Sequence, residues 1–223
     1  TTEAVTNSST QMAVGMGSLG TFQFNHDGGA SSNAIDDVLP KAYEETWDPG
    51  VGTASFHAFG AALNKGSVSY KTPSFELPMG ITVSATADYD PQANVAQPAP
   101  ASVGGDGASG EAFTVKIAHE SGLTLGGGNM SVGATDATTG ESIATGYLLY
   151  SNGGLSIGYQ EAYEDASSTI KGTTTRGVDT ESDGFAIAYT AGDMSFSYSE
   201  SKETTQANGC LLYTSPSPRD ATL

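Results

Sequence analysis

The chain has 223 residues, with 25 acidic and 8 basic side chains and a formal net charge of −17 at pH 7. This balance argues against nucleic acid as a partner, because phosphate binding depends on Lys and Arg side chains that displace counterions. Charged residues make up only 15% of the chain, so charge repulsion does not predict disorder. The 29 glycines, together with many Ser, Thr and Ala residues, favour short strands and turns over long helices.

The chain contains no apolar run close to the roughly 20 residues that a membrane-spanning helix needs. A helical membrane protein is therefore excluded, whereas the shorter, alternating strands of a transmembrane barrel are not. The chain also shows no signal peptide and begins at Thr1, from which we expect either mature numbering or an interrupted gene.

Alternation of bulky apolar residues with small or polar ones is the dominant pattern, and it predicts β-strands. The alternating segments in chain order are 12–16, 22–24, 68–70, 81–89, 113–117, 123–125, 147–149, 155–159, 185–189 and 194–198. No segment has comparable support as a helix. We therefore predict an all-β protein of about ten antiparallel strands.

The connections between these strands alternate between short and long. Gly-containing turns at 18–20, 120–122, 151–154 and 190–193 predict tight hairpins. Long polar segments at 25–66, 90–110, 133–142 and 164–182 separate them. Short turns at one end of a sheet and long loops at the other are typical of an outer-membrane β-barrel.

The same alternation predicts which side chains face lipid. Hydrocarbon offers no partner for polar groups, so the bulky set is expected to point outward and the Ser, Thr, Asp and Gly set toward water. Six tyrosines near strand ends are expected to form an aromatic girdle at the membrane interface. They are Tyr70, Tyr89, Tyr147, Tyr159, Tyr189 and Tyr198.

The connection 25–66 is too long for an ordinary loop, and it contains Asp-Val-Leu-Pro at 37–40 followed by Glu44, Glu45 and Asp48. In this segment the chain resembles the general porins of the Gram-negative bacterial outer membrane. Their third external loop folds into the barrel and carries an Asp-Val-Leu-Pro stretch with acidic residues after it. The Gly-Ser-Leu-Gly-Thr-Phe turn at 17–22 also resembles the hairpin that enters this loop.

The resemblance implies a channel for passive diffusion of small hydrophilic solutes and ions, not an enzyme, with outer-membrane lipid around it. It implies a homotrimer when complete, with no cofactor. Residues 1–209 would then be a partial barrel with a constriction loop at about 25–66, comprising about ten of roughly sixteen strands. About three strands would be missing on each side. The family's terminal strand, whose last aromatic residue serves barrel insertion, is not found in the chain.

In such a pore the acidic loop residues would create a negative potential that favours cations. The candidate constriction residues are Asp36, Asp37, Glu44, Glu45 and Asp48, with Lys41 offsetting part of their charge. The family sets its acidic loop against a cluster of arginines, but residues 1–209 contain only Arg176, which lies in a different loop. Two alternatives remain open: these carboxylates are solvated loop charges, or they bind Ca²⁺, although no regular ligand spacing supports the latter.

Catalytic and metal-binding patterns are weak in this chain. His26, His57 and His119 are dispersed, with no second His or Cys at metal-ligand spacing, and no Gly-x-Ser-x-Gly elbow occurs. The sequence therefore predicts no metal site and no enzyme. The alternative function is a secreted or surface-attached all-β adhesin or carbohydrate-binding domain, whose bulky residues would pack in a core.

Residues 210–220 match, position for position, the in-frame translation of a transposon-based sequencing adapter. We therefore expect residues 210–223 to be a non-native tail and exclude them from the fold. Pro216 and Pro218 would each remove a strand hydrogen-bond donor there. Cys210 is the only cysteine, so the remaining chain cannot form disulfides.

Overall fold

A computed structural model describes residues 10–27, 31–36, 38–42, 59, 63, 66–91, 93, 108–133, 140–165, 169–170, 173–174 and 178–207. The predicted adapter-derived tail at 210–223 lies outside these residues. Within them the protein is all-β and antiparallel, which confirms the predicted fold class at this level.

Eleven of the described strands form one antiparallel sheet. They are β1 Thr10–Gly15, β2 Thr21–Asp27, β3 Val68–Lys71, β4 Phe75–Leu77, β5 Ile81–Asp90, β6 Gly110–His119, β7 Leu123–Val132, β8 Glu141–Asn152, β9 Leu155–Asp165, β12 Val178–Ala191 and β13 Met194–Ala207. A separate small hairpin pairs β10 (Thr169–Ile170) with β11 (Thr173–Thr174), inside the long connection between β9 and β12.

The strands of the sheet follow one another in chain order, with β4 paired to β5 beside β3. The sheet is not closed: among the described residues β1 and β13 form its two edges. Strand β4 was not predicted, because its three residues are too few for alternation to register. Short 3-10 helices lie at Gly17–Leu19, Ser31–Ile35 and Pro78–Gly80. No helix in the described part of the chain is both long enough and apolar enough to cross a membrane.

The two faces of the sheet differ sharply in what covers them. Residues 31–36 and 38–42 lie on one face, and we name them the covering segment. We call the face beneath it the covered face and the opposite one the open face. On β6, for example, Phe113 on the open face is 55% exposed, whereas Ala112 and Thr114 on the covered face are 4% and 6% exposed.

Bulky side chains form continuous rows across the open face. Directly paired residues point to the same side of a sheet, and the pairing aligns one such row over seven strands: Phe75, Val83, Ile117, Leu125, Leu148, Tyr159 and Phe185. Val83, Ile117, Leu125, Tyr159 and Phe185 were predicted to face one side together, and the register agrees, whereas Phe75 and Leu148 were not predicted. The exposed tyrosines include Tyr70, Tyr89, Tyr159, Tyr189 and Tyr198.

The prediction for Tyr147 and Leu149, the bulky residues of the alternating segment 147–149, was wrong, since Leu149 packs against the core. Tyr147 is 5% exposed and belongs to the core on the covered face, while Leu148 and Tyr150 point to the open face. The run Tyr-Leu-Leu-Tyr at 147–150 places bulky residues on both faces, so alternation cannot decide its phase. The pairing of Leu148 with Leu125 and with Tyr159 decides it.

An apolar core lies between the covered face and the residues that pack on it. Its buried members are Ile35, Phe59, Leu63, Ala93, Ala112, Met130, Val132, Ile143 and Tyr147. Complete burial of a side chain the size of Ile143 or Phe59 contributes roughly 1.5–3 kcal/mol to stability. The covered face is therefore a mixture of polar and apolar residues, not the uniformly small, polar surface that alternation predicts.

Gly122 connects two neighbouring short turns. Its φ is +94°, its N–H donates to the His119 carbonyl oxygen at 3.0 Å, and its own carbonyl oxygen accepts from the Ser151 N–H at 3.0 Å. A Cβ at this position would collide with the Ser151 carbonyl oxygen. Gly153 also has a positive φ, +59°, but a Cβ there would meet nothing within 4 Å.

We predict that Gly122→Ala lowers the free energy of unfolding more than Gly153→Ala does. Both substitutions carry the penalty of about 1–2 kcal/mol for a left-handed non-glycine residue, and only the first adds a backbone collision. Denaturant unfolding in detergent, monitored by circular dichroism, measures the difference. Equal destabilisation by the two substitutions would contradict the structure at this turn.

Candidate functional site

The beginning of the covering segment is attached to the sheet by the carboxylate of Asp88 on β5. Its two oxygens accept hydrogen bonds from the N–H groups of Ser31 at 3.0 Å and of Ser32 at 2.7 Å. The Ser69 hydroxyl on β3 also accepts from the Ser31 N–H, at 3.4 Å. Asp88 is 3% exposed. It therefore acts as a buried cap on the first N–H groups of the 3-10 helix at Ser31–Ile35, which no intrahelical carbonyl can satisfy.

A network of neutral polar side chains supports this attachment from β2 and β3. The Asn25 amide donates to the Ser67 hydroxyl at 3.0 Å and to the Ser69 hydroxyl at 2.8 Å. The Gln23 amide donates in turn to the Asn25 side-chain oxygen at 2.5 Å. These side chains are buried, and a buried polar group is costly unless it finds such partners.

The middle of the covering segment is held by Gln160 on β9, which is fully buried. Its amide nitrogen donates to the carbonyl oxygens of Ile35 at 3.0 Å and Asp36 at 3.2 Å, and to the Thr145 hydroxyl at 3.1 Å. Its amide oxygen accepts from the Val38 N–H at 3.1 Å. One side chain thus bonds to backbone on both sides of residue 37, using its donor and acceptor functions together.

The end of the covering segment reaches β13. The Ala42 N–H donates to the Ser197 hydroxyl at 3.1 Å. Asp88, Gln160 and Ser197 lie on β5, β9 and β13, so the segment crosses the covered face from one part of the sheet to a distant part. Between these attachments Ile35 and Leu39 are buried against the sheet, at 6% and 3% exposure.

The structure describes two of the six predicted constriction residues. Asp36 is half-buried, and Gln160 holds its carbonyl oxygen; Lys41 is exposed and follows Pro40 near the β13 attachment. Both lie on the covering segment, so the structure places them on one element across the covered face. Asp37, Glu44, Glu45 and Asp48 lie outside the described residues.

Charged residues also line the covered face itself. The pairing puts Lys71 and Lys116 on this face, at β3 and β6. Glu141, Glu164 and Glu203 share it on β8, β9 and β13, and Glu164 lies close enough to the other two for their charges to repel. The acidic residues Asp88 on β5 and Glu76 on β4 lie near the two lysines on the same face, so the covered face carries charges of both signs there and only acidic ones at Glu141, Glu164 and Glu203. Among the described residues no group of three or more His, Cys, Asp or Glu could hold a metal ion.

The residues that hold the covering segment were not predicted from the sequence. Asp88 and Gln160 stand at positions that alternation assigns to the polar face, where Ser, Thr and Glu are equally common. Their partners lie 56 and 57 residues away for Asp88 and 122 to 125 residues away for Gln160. A local pattern carries no signal for such pairs.

Neither the models of known protein families nor the curated proteins provide a significant match to this chain.

We predict that Gln160→Ala loosens the middle of the covering segment. Each lost hydrogen bond contributes about 1 kcal/mol, so exchange at the Val38 amide should accelerate by at least roughly fivefold. Hydrogen–deuterium exchange of the detergent-solubilised protein measures this.

Gln23→Ala is the matched control, because Gln23 is also a buried glutamine of the covered face but donates to Asn25 and to Gln11. It should leave exchange at Val38 unchanged. Unaltered protection of Val38 in Gln160→Ala would show that Gln160 does not hold the segment.

Proposed function

We propose that this chain forms part of a bacterial outer-membrane porin, a water-filled channel for passive diffusion of small hydrophilic solutes and ions. The observation that carries the proposal is the division of the sheet into two faces. One face, which mixes polar and apolar residues, is covered by the chain's own irregular segment, and the face with the exposed rows of bulky apolar side chains is left bare by the described residues. The proposed channel performs no chemistry.

Much of the open face is apolar, and the charged residues on it include Glu111, Glu161 and Asp183, which lie toward the long connections. Phe113, Leu125, Leu148, Tyr159 and Phe185 are between 42% and 55% exposed and lie on adjoining strands. Soluble monomers rarely expose a contiguous apolar patch larger than a few hundred Å². Lipid hydrocarbon would remove this surface from water, and exposed tyrosines such as Tyr89 and Tyr189 would suit the headgroup level.

Placement in lipid requires the sheet to be closed. The strands β1 and β13 each have an edge unpaired by described residues, and hydrocarbon offers no partner for the N–H and C=O groups of such an edge. We propose that further strands complete a barrel of about sixteen, as the resemblance to general porins implies. We also propose the homotrimer of that family.

In the closed barrel the covered face would line the lumen and the covering segment would narrow it. Asp36 and Asp37, with Glu44, Glu45 and Asp48 after them, would give the narrowing a negative potential, offset in part by Lys41. The wall carboxylates at 141, 164 and 203 would add to it, and Lys71 and Lys116 would oppose it. We propose a modest preference for cations, because the acidic groups outnumber the basic ones.

The alternative function, an adhesin or carbohydrate-binding domain, requires a second layer over the open face. That layer would bury the apolar rows without lipid. The two functions therefore differ in whether the protein needs detergent to stay in solution.

We predict that the protein fractionates with outer membranes, resists salt and urea washing, and is released only by detergent. Val115→Lys, at the middle of β6 on the open face, should reduce the inserted, folded fraction, because a lysine facing the bilayer core costs roughly 2–4 kcal/mol. Thr82→Lys, on the covered face beside Glu76, should insert like the parent. Recovery of the parent in solution without detergent would overturn the proposed function.

We predict that the combined substitution Glu44→Gln, Glu45→Gln, Asp48→Asn lowers cation preference, because it removes three negative charges from the proposed constriction. Reversal potentials across planar bilayers under a salt gradient measure the change. The control, Glu120→Gln with Asp193→Asn, neutralises two carboxylates in the short turns and should leave the reversal potential near that of the parent. A parent channel that prefers anions would contradict the proposed charge arrangement.

A further inference from the structure

Gly158 lies directly beneath the covering segment. It is buried on the covered face of β9, two residues from Gln160, and pairs with Leu149 on β8 and Ala186 on β12. A Cβ at this position would stand 2.6 Å from Pro40 Cδ and 3.3 Å from Leu39 Cδ2. Leu39 and Pro40 therefore approach the sheet as closely as they do because residue 158 has no side chain.

Pro40 cannot avoid such a Cβ by rotating. Its Cδ is closed in a ring with its own backbone nitrogen, so the atom moves only if the backbone moves. To reach 3.4 Å, where ordinary van der Waals contact begins, Pro40 would have to shift by about 0.8 Å from its position at 2.6 Å. Leu149 Cδ2 would be 2.7 Å from the new Cβ, but it is the end of a flexible side chain and can rotate away.

The attachments on either side decide the direction of this shift. Gln160 holds Ile35, Asp36 and Val38, and Ser197 holds Ala42. With both ends attached, residues 39–41 can only bow away from the sheet. In the proposed barrel this direction is the lumen, and Lys41, which follows Pro40, would move with it.

Gly128 on β7 also makes room for the residues that pack on the covered face, but it is less informative. A Cβ there would stand 2.9 Å from Phe59 Cζ and 3.1 Å from Ile35 Cδ1, and also 2.5 Å from the Phe113 carbonyl oxygen on β6. Its substitution would therefore disturb the sheet itself. At Gly158 the unyielding neighbour belongs to the covering segment.

We propose that Gly158 is a positioning residue that sets how far Pro40 and Lys41 stand from the channel wall, and thereby the width of the constriction. This inference rests on the proposed function. The width of the channel would then depend on the wall as well as on the covering segment, because the absence of a side chain at 158 determines how closely Pro40 approaches the wall.

The test compares Gly158→Ala with Gly146→Ala in planar bilayers, each in the complete protein with the further strands that the proposed function requires. Gly146 lies on the open face of β8, and the nearest neighbour of a Cβ there is the Gly126 carbonyl oxygen at 4.0 Å. We expect single-channel conductance to fall to roughly 0.7 of the parent value in Gly158→Ala and to stay unchanged in Gly146→Ala. The double variant Pro40→Ala, Gly158→Ala, which lacks the colliding Cδ, should recover most of the parent conductance.

The outcomes separate this inference from the function on which it rests. If the parent with its complete set of strands forms no channels, both are overturned. A conducting parent with equal conductance in folded Gly158→Ala overturns the positioning role alone, as does a double variant that recovers nothing. If Gly158→Ala does not fold, folding of the double variant supports the role because it places the collision at Pro40, and failure of both variants overturns it.

Discussion

The structure depends on a constraint that every irregular segment faces when it lies against a sheet: its backbone N–H and C=O groups need partners that regular structure does not supply. Here the sheet supplies them through side chains. Asp88 accepts from two N–H groups at the beginning of the covering segment, Gln160 bonds to three backbone groups in its middle, and Ser197 accepts from its last described N–H. These bonds give backbone N–H and C=O groups of the covering segment their partners on the covered face.

Apolar and polar contacts hold the covering segment in different ways. The apolar core around Ile35, Phe59 and Ile143 contributes most of the favourable free energy, because burial of apolar surface is large and non-directional. The hydrogen bonds contribute less net energy but are directional. They determine which residue of the segment stands above which strand, and so where Asp36 and Lys41 are presented. A channel constriction would need its residues held at defined positions above the sheet, since its ion selectivity depends on where the charges lie.

The open face differs from the covered face because the covering segment does not pack on it. The covering segment packs on one face, and the exposed bulky side chains lie on the other, where no described residue packs on them. A protein in water would have to bury those rows against a second layer, whereas a protein in lipid needs none. This difference between the two faces is the physical basis for preferring a membrane channel to a soluble sandwich. The covering segment contacts one of them, and lipid would contact the other.

The sequence by itself determined the longer strands, the short turns and most of the two-faced pattern, because side-chain direction alternates locally along any strand. It did not predict the short strands β4, β10 and β11. It also indicated that residues 25–66 form an unusual connection. Only the tertiary structure decided the phase of the 147–150 run, the open edges of the sheet, and the roles of Asp88, Gln160 and Gly158. Each depends on a neighbour far away in the chain, such as the 122 residues between Val38 and Gln160. A period of two residues describes which way a side chain points, but contact across the sheet determines what that side chain meets.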